Sequence, residues 1–213
     1  MDSLNIIQRS SPNFDYRRGR KKPKMLIIHY TGMVNNQEAI RRLCDPSSVV
    51  STHYVIDDLG KCLQLVDEKN RAWHAGVSSW AGYSDINSCS IGIELCNPGH
   101  EHGYKRFPEK QMATLLRLGG DILARHSILP QFVLGHSDVA PNRKLDPGEF
   151  FDWKKLAHNG IGIWPDANTP PSKQEIRDSK YGRGDGDVSL QQGKLARFGY
   201  EIEITGVYDE QTS

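Results

Sequence analysis

Nothing in the 213 residues approaches the roughly 18 consecutive apolar residues that a membrane-spanning helix requires. Charge of one sign is equally scarce. Lys and Arg number 27 against 26 Asp and Glu, a formal net charge of +1, so the basic excess expected of a dedicated nucleic-acid binder is missing. Cysteine is sparse: Cys44, Cys62, Cys89 and Cys96 fall at irregular spacings without a C-x-x-C pair. That argues against a Cys-rich zinc site and implies no disulfide framework. The four read as buried, inert thiols. There is no internal repeat and no low-complexity tract, and Met1-Asp2-Ser3-Leu4 lacks the basic-then-apolar pattern of a secretory signal. What is present, 37% hydrophobic and 25% charged residues, is the make-up of a soluble globular protein long enough to bury a real core.

Along the chain, residues 1–24 read as an irregular leader whose basic cluster, Arg17 to Lys22, is expected to be a solvated loop. Met25 to Tyr30 is a short apolar run bounded by Pro23 and Thr31-Gly32, the pattern of a buried strand. Asn36 to Cys44 reads as a helix capped by Asn35 or Asn36, with Ile40 and Leu43 on one face. Ser51 to Asp57 and Lys61 to Val66 form a hairpin around Asp58-Leu59-Gly60, and Ser88 to Cys96 is a further strand. Pro108 to Ser127 is the longest helix, with Pro108 in its first turn and a wide apolar face from Met112 to Leu123. Phe132 to Gly135 is a last short strand before a loop rich in Pro, Asp and Gly. Strands separated by helices point to an α/β or α+β domain around a central sheet. Residues 167–187 have the Pro/Gly-rich polar composition of a linker, and a helix-like segment, Leu190 to Tyr200, follows.

Several residues can carry chemistry. His29 ends the first strand and shares a face with Ile27. His136 ends the last strand, and Asp146 follows ten positions on. Two His and one Asp suit catalytic zinc, which takes three protein ligands and keeps one position open for water. Each of the three also has a structural reading, as a hydrogen-bonded strand residue or a turn residue. In Ser90-Ile91-Gly92-Ile93-Glu94-Leu95, the apolar residues share one face while Gly92, Glu94 and Cys96 share the other. A mid-strand carboxylate is costly unless paired or exposed in a cleft, so Glu94 is either a general base or part of a surface face. Gly92 leaves room for something close. Lys144 is a candidate oxyanion stabiliser or an ordinary surface lysine. Trp73-His74-Ala75-Gly76, with Trp80 and Tyr83, makes an aromatic-rich loop that lines a ligand groove or packs as core.

Taken in order, five segments carry a resemblance: Leu26 to Thr31, Ser51 to Ile56, Ala72 to Gly76, Asn87 to Leu95 and Gly135 to Gly148. Their sequence and spacing over roughly residues 10–166 resemble the zinc-dependent N-acetylmuramoyl-L-alanine amidases of the amidase-2 type. That family includes the peptidoglycan recognition proteins, and the AmpD/AmiD branch is the nearest subgroup. The resemblance implies an α/β fold with a central mixed β-sheet flanked by α-helices and one zinc ion in a cleft at one face. It implies His29, His136 and Asp146 as zinc ligands, Glu94 as general base and Lys144 as the lysine facing the oxyanion. It implies Tyr54, Trp73, His74, Asn87 and Arg143 as substrate-binding residues. The implied substrate is peptidoglycan or a muropeptide, cleaved between N-acetylmuramic acid and L-alanine. A non-catalytic peptidoglycan-recognition protein is the alternative, and the presence of Asp146, typically lost there, weighs against it. By the same resemblance the catalytic domain spans 25–166. Residues 188–213 resemble the opening of a peptidoglycan-binding module whose later helices are missing. Such a module favours the bacterial periplasm, with the cytoplasm as the alternative.

Overall fold

The computed structural model describes residues 4–20, 22–165, 185–209 and 212. Six strands form one mixed sheet in the order β1-β5-β4-β7-β3-β8: β1 (Ile6–Gln8), β5 (Cys62–Gln64), β4 (Tyr54–Ile56), β7 (Ser90–Leu95), β3 (Met25–Tyr30) and β8 (Val133–Gly135). Only the β4–β5 hairpin is antiparallel; β1 with β5, and β4, β7, β3 and β8 with one another, run parallel. The centre is therefore of the kind buried on both faces, which is why β3 is apolar at nearly every position. A separate antiparallel pair joins β2 (Phe14–Tyr16) to β6 (Asn70–Ala72).

One face of the sheet is closed by α3 (Glu109–His126) and α5 (Trp153–His158). Met112, Leu115, Leu118 and Ile122, together with Leu156, pack on Leu26, Ile28, Tyr54, Ile91, Ile93 and Leu95. The other face is covered in two separate pieces. At one side α1 (Asn36–Cys44) sets Ile40 and Leu43 on Val55, Leu63 and Leu65. At the other, α2 (Ile86–Cys89), α4 (His136–Val139) and the loop carrying Ala75 and Trp80 pack on Met25, Ile27 and Leu134. The gap between these two coverings is a cleft over the C-terminal ends of β3 and β7, where open parallel sheets commonly hold ligands. The last element, α6 (Asp185–Phe198), leads into a segment whose Tyr200 packs against the Trp80 cluster.

The helix and strand positions expected between residues 25 and 135 hold, most with trimmed ends, whereas the C-terminal helix expected from Leu190 begins at Asp185, inside the stretch read as linker. Asn35 is the cap of α1, its side chain accepting the Glu38 N–H at 2.9 Å. Pro108 sits just before α3 instead of inside its first turn. The leader differs from expectation. Ile6–Gln8 adds an edge strand, and Phe14–Tyr16 pairs with β6, both too short to show a period. Arg17 is not solvated. It is 8% exposed, and its guanidinium donates to the carbonyls of Glu68, Asn87, Ser88 and Ser90. Backbone acceptors, which carry no signature in the sequence, hold it inside. Of the expected linker, residues 167–184 lie outside the described residues.

Candidate active site

Strand alternation decides which side chains reach the cleft. On β3, Met25, Ile27 and His29 point to the sheet face that bears the cleft while Leu26 and Ile28 face α3. On β7, Ser90, Gly92 and Glu94 point to the cleft-bearing face while Ile91, Ile93 and Leu95 face α3. His29 and Glu94 are direct partners across the parallel β3–β7 ladder. His136 starts α4 directly after β8, and Asp146 is brought back to it by the Ser137 N–H donating to the Asp146 carbonyl at 2.9 Å.

The three expected ligands converge on one point. His29 Nδ1 lies 2.9 Å from His136 Nδ1 and 3.0 Å from Asp146 Oδ2, and His136 Nδ1 lies 3.1 Å from the same Oδ2. All three side chains are buried. Hydrogen-bond partners assign the tautomers. His136 Nε2 must carry its proton, because it faces the Ala75 carbonyl at 3.1 Å, so its Nδ1 is a bare lone pair. Ser90 Oγ–H donates to the Ile86 carbonyl at 2.6 Å, so it accepts from His74 Nε2–H at 3.1 Å. His74 Nδ1 is then an acceptor and takes the His29 Nε2–H at 3.0 Å. His29 Nδ1 is thereby bare as well. Two imidazole lone pairs and a carboxylate oxygen pressed together in a buried site repel one another unless a cation lies between them. Tetrahedral zinc with ligand bonds of about 2.0–2.1 Å has donor–donor edges of about 3.3 Å, close to this triangle. The donor set fits zinc, and the outward N–H groups of both histidines have the partners such ligands need.

The electrostatics agree. Burial, then the adjacent His136, push the His29 pKa down to about 4, so the ring is neutral. Burial and the surrounding histidines hold His74 well below its ordinary value. For Asp146 burial would raise the pKa, but the close approach of His136 and His29 outweighs it and holds it below the ordinary carboxylate value. Glu94 sits apart from the triad. Its Oε2 is buried without a hydrogen-bond partner, and burial followed by the Asp146 charge pushes its pKa up to about 8, with Lys144 opposing. An orphaned carboxylate oxygen in a cleft is a group waiting for a proton-bearing ligand.

The cleft has a volume of about 660 Å³ and is lined by His136, Asp146, Glu94, Lys144, Trp73 and Arg143 among others. The expected substrate contacts divide. Trp73 and Arg143 line the cleft, and Arg143 also clamps the loop below by donating to the carbonyls of Ala75 and Val77. Asn87 is buried, and its Oδ1 accepts the N–H groups of His74 and Ala75 at 3.0 and 2.8 Å, so it shapes the loop from beneath. His74 reaches the cleft wall but is engaged at both ring nitrogens, one by His29 and the other by Ser90. Tyr54 is a correction: it lies on the α3 face, and its hydroxyl donates to Glu68 at 2.8 Å, turned away from the cleft by the same alternation that turns Glu94 in.

Sequence reasoning missed the Ser90–His74 support. Gly92 was its signal: a Cβ there would lie 2.6 Å from the His74 ring, so the room beside Glu94 is taken by that imidazole. His53 was missed too; its buried Nδ1 accepts the Gly92 N–H at 3.0 Å.

The comparisons with known proteins point the same way. Residues 19–149 match the family model for N-acetylmuramoyl-L-alanine amidase. N-acetylmuramoyl-L-alanine amidase AmiD of Escherichia coli is 36% identical over 93% of this chain and 75% of its own length. The solved complex of that enzyme with anhydro-N-acetylmuramic acid-L-Ala-D-gamma-Glu-L-Lys superposes with a TM-score of 0.71, at 36% identity, over 89% of this chain and 76% of the other. The 1,6-anhydro-N-acetylmuramyl-L-alanine amidase AmpD of Haemophilus influenzae is 32% identical over 70% of this chain and 88% of its own. With the six-stranded mixed sheet and the buried His-His-Asp cluster already in place, these matches assign the chain to the N-acetylmuramoyl-L-alanine amidase family.

Proposed function

We propose that this chain hydrolyses the amide between the lactyl group of N-acetylmuramic acid and L-alanine, with one zinc ion held by His29, His136 and Asp146. The observation that carries the reading is the buried triangle of lone pairs beside an unpartnered Glu94 oxygen, in one cleft. Zinc in such a site lowers the pKa of bound water to about 7 and polarises a carbonyl.

The chain's own groups supply the rest. Glu94 takes the proton of the attacking water and returns it to the leaving amine nitrogen, a role matched by its raised pKa and its freedom from other partners. Lys144 stands on the cleft wall and offers N–H donors to the charge that develops on the carbonyl oxygen. Trp73 presents an aromatic surface to sugar or peptide, and Arg143 carries a cation at the rim. The substrate is peptidoglycan or a muropeptide released from it, which places the activity in the turnover of a bacterial envelope. In the same reading residues 25–166 are the catalytic unit and residues 188–213 begin a wall-binding-like module.

Mass spectrometry of a defined muropeptide tests this. Release of an L-alanine-headed stem peptide, abolished by a chelator and restored by zinc, is the expected result. Stoichiometric zinc without release from muropeptide or sacculus would instead identify a recognition protein.

A further inference from the structure

We infer that the C-terminal segment positions a metal ligand: Tyr200, acting through Asp138, holds the turn that carries His136. The inference rests on the reading of His29, His136 and Asp146 as the zinc site.

The contacts form a continuous chain. Trp80 is 1% exposed and is covered edge-on by Phe198, with ring centroids 5.6 Å apart, and by Tyr200 at 4.7 Å. The Ala81 N–H donates to the Gly199 carbonyl at 2.7 Å, so the segment is tied by backbone as well as by rings. A Cβ at Gly199, where φ is +141°, would lie 2.5 Å from the Trp80 indole; the segment lies flat on that ring because residue 199 has no side chain. From this seat the Tyr200 hydroxyl donates to Asp138 Oδ1 at 2.7 Å. Asp138 Oδ2 accepts the Gly135 N–H, also at 2.7 Å, immediately before His136. The next residue, Ser137, donates its N–H to the Asp146 carbonyl. Asp138 is thus a keystone of the turn that holds two of the three ligands in register, and Tyr200 is its outer partner.

The carboxylate needs that partner. Its two oxygens are each engaged, Oδ1 by the Tyr200 hydroxyl and Oδ2 by the Gly135 N–H. Without the hydroxyl, the freed Oδ1 draws the carboxylate towards water, and the Gly135 anchor weakens. Tyr200 is a positioning residue: it acts on the metal site two hydrogen bonds away.

The test uses the full chain loaded with zinc. Tyr200→Phe removes the hydroxyl and keeps the ring on Trp80. Changes to groups that orient ligands cost about 10–100-fold in metal affinity, and one step further out the lower end applies, so zinc release to a colorimetric chelator is expected to be about tenfold faster. Amide exchange at Ala81 should be unchanged, showing the segment still seated, and KM for a muropeptide should not move. Asp138→Asn keeps a carbonyl for Gly135 and an amide facing the Tyr200 oxygen, so it is expected to release zinc near the parent rate. Gly199→Ala should lose Ala81 protection and release zinc as fast as Tyr200→Phe. Parental release rates in Tyr200→Phe, with Ala81 still protected, overturn the inference. A parent chain that holds no stoichiometric zinc overturns the metal-site reading itself, before any variant is compared.

Discussion

Gly92→Ala offers a direct measure of how tightly the His29 support is built. A Cβ at position 92 would sit 2.6, 2.7 and 2.9 Å from three atoms of the His74 ring, where carbon contacts ordinarily settle at about 3.5–4.0 Å. The ring must retreat by about 1 Å, yet both its nitrogens are engaged, at 3.0 Å to His29 and 3.1 Å to Ser90. Overpacking of this kind costs about 1–3 kcal/mol. Two strained hydrogen bonds add about 1–2 kcal/mol. Replacing a strand glycine returns about 0.5 kcal/mol of chain entropy. The net expectation is a loss of about 2–4 kcal/mol, a melting temperature lower by about 5–15 °C at this chain length. Zinc affinity should fall by about 10–100-fold as His29 loses its orienting acceptor. The decisive assay is a double-mutant cycle read by thermal unfolding and zinc titration. With His74→Ala already present the obstacle is gone, and Gly92→Ala should become neutral or slightly stabilising. An equal penalty for Gly92→Ala in both backgrounds would refute the reasoning and move the cost to the strand itself.

Three further outcomes are expected. Glu94→Gln should retain zinc by direct metal analysis while turnover falls by about 10²–10⁴-fold; unchanged turnover would return Glu94 to a structural role. Tyr54→Phe should leave kcat/KM for a muropeptide unchanged while costing about 1 kcal/mol in denaturant unfolding, since its hydroxyl serves Glu68 on the far face of the sheet. Glu68 gives the pH dependence: burial alone would raise its pKa, but hydrogen bonds from Arg125, His126 and Tyr54 win and bring it down to about 2. A depressed carboxylate stabilises the fold above its unfolded pKa of about 4.3, and the contribution disappears as pH falls from there through about 2. Glu68→Gln should therefore cost on the order of 2 kcal/mol in urea unfolding at pH 6 and much less near pH 2.5, and a pH-independent cost would show that the charge is not what matters.

The elements that were legible in the sequence are those whose burial pattern is regular. β3 and β7 announce themselves by apolar runs or alternation, and that alternation correctly sorted Glu94 from Ile91, Ile93 and Leu95. The convergence of His29, His136 and Asp146 was legible because the two histidines lie at or just beyond strand ends and the family motif fixes the spacing from His136 to Asp146. Other features depend on partners distant in sequence. Arg17 is held by carbonyls some 50 to 70 positions away, and a basic cluster looks the same whether its acceptors are water or backbone. Tyr54 was placed by its motif, but the alternation that turns Val55 onto the α1 side sends Tyr54 to the other. His74 and Asn87 were placed near the cleft, and the engagement of their polar atoms by the protein itself was not legible, because proximity to the site does not reveal whether a side chain meets a ligand or the loop behind it.

The pairing of His29 with Glu94 across β3 and β7 has a consequence for how this enzyme can diversify. Neighbouring strands are held about 4.8 Å apart by their hydrogen bonds, whatever the loops around them do. The separation between His29 and Glu94 is accordingly gauged by the backbone ladder. The walls at Trp73, Arg143 and α1 can be exchanged, lengthened or recharged to suit another stem peptide or a longer glycan without resetting that gauge. Rim grafts between relatives should alter what is bound far more readily than which bond is cut.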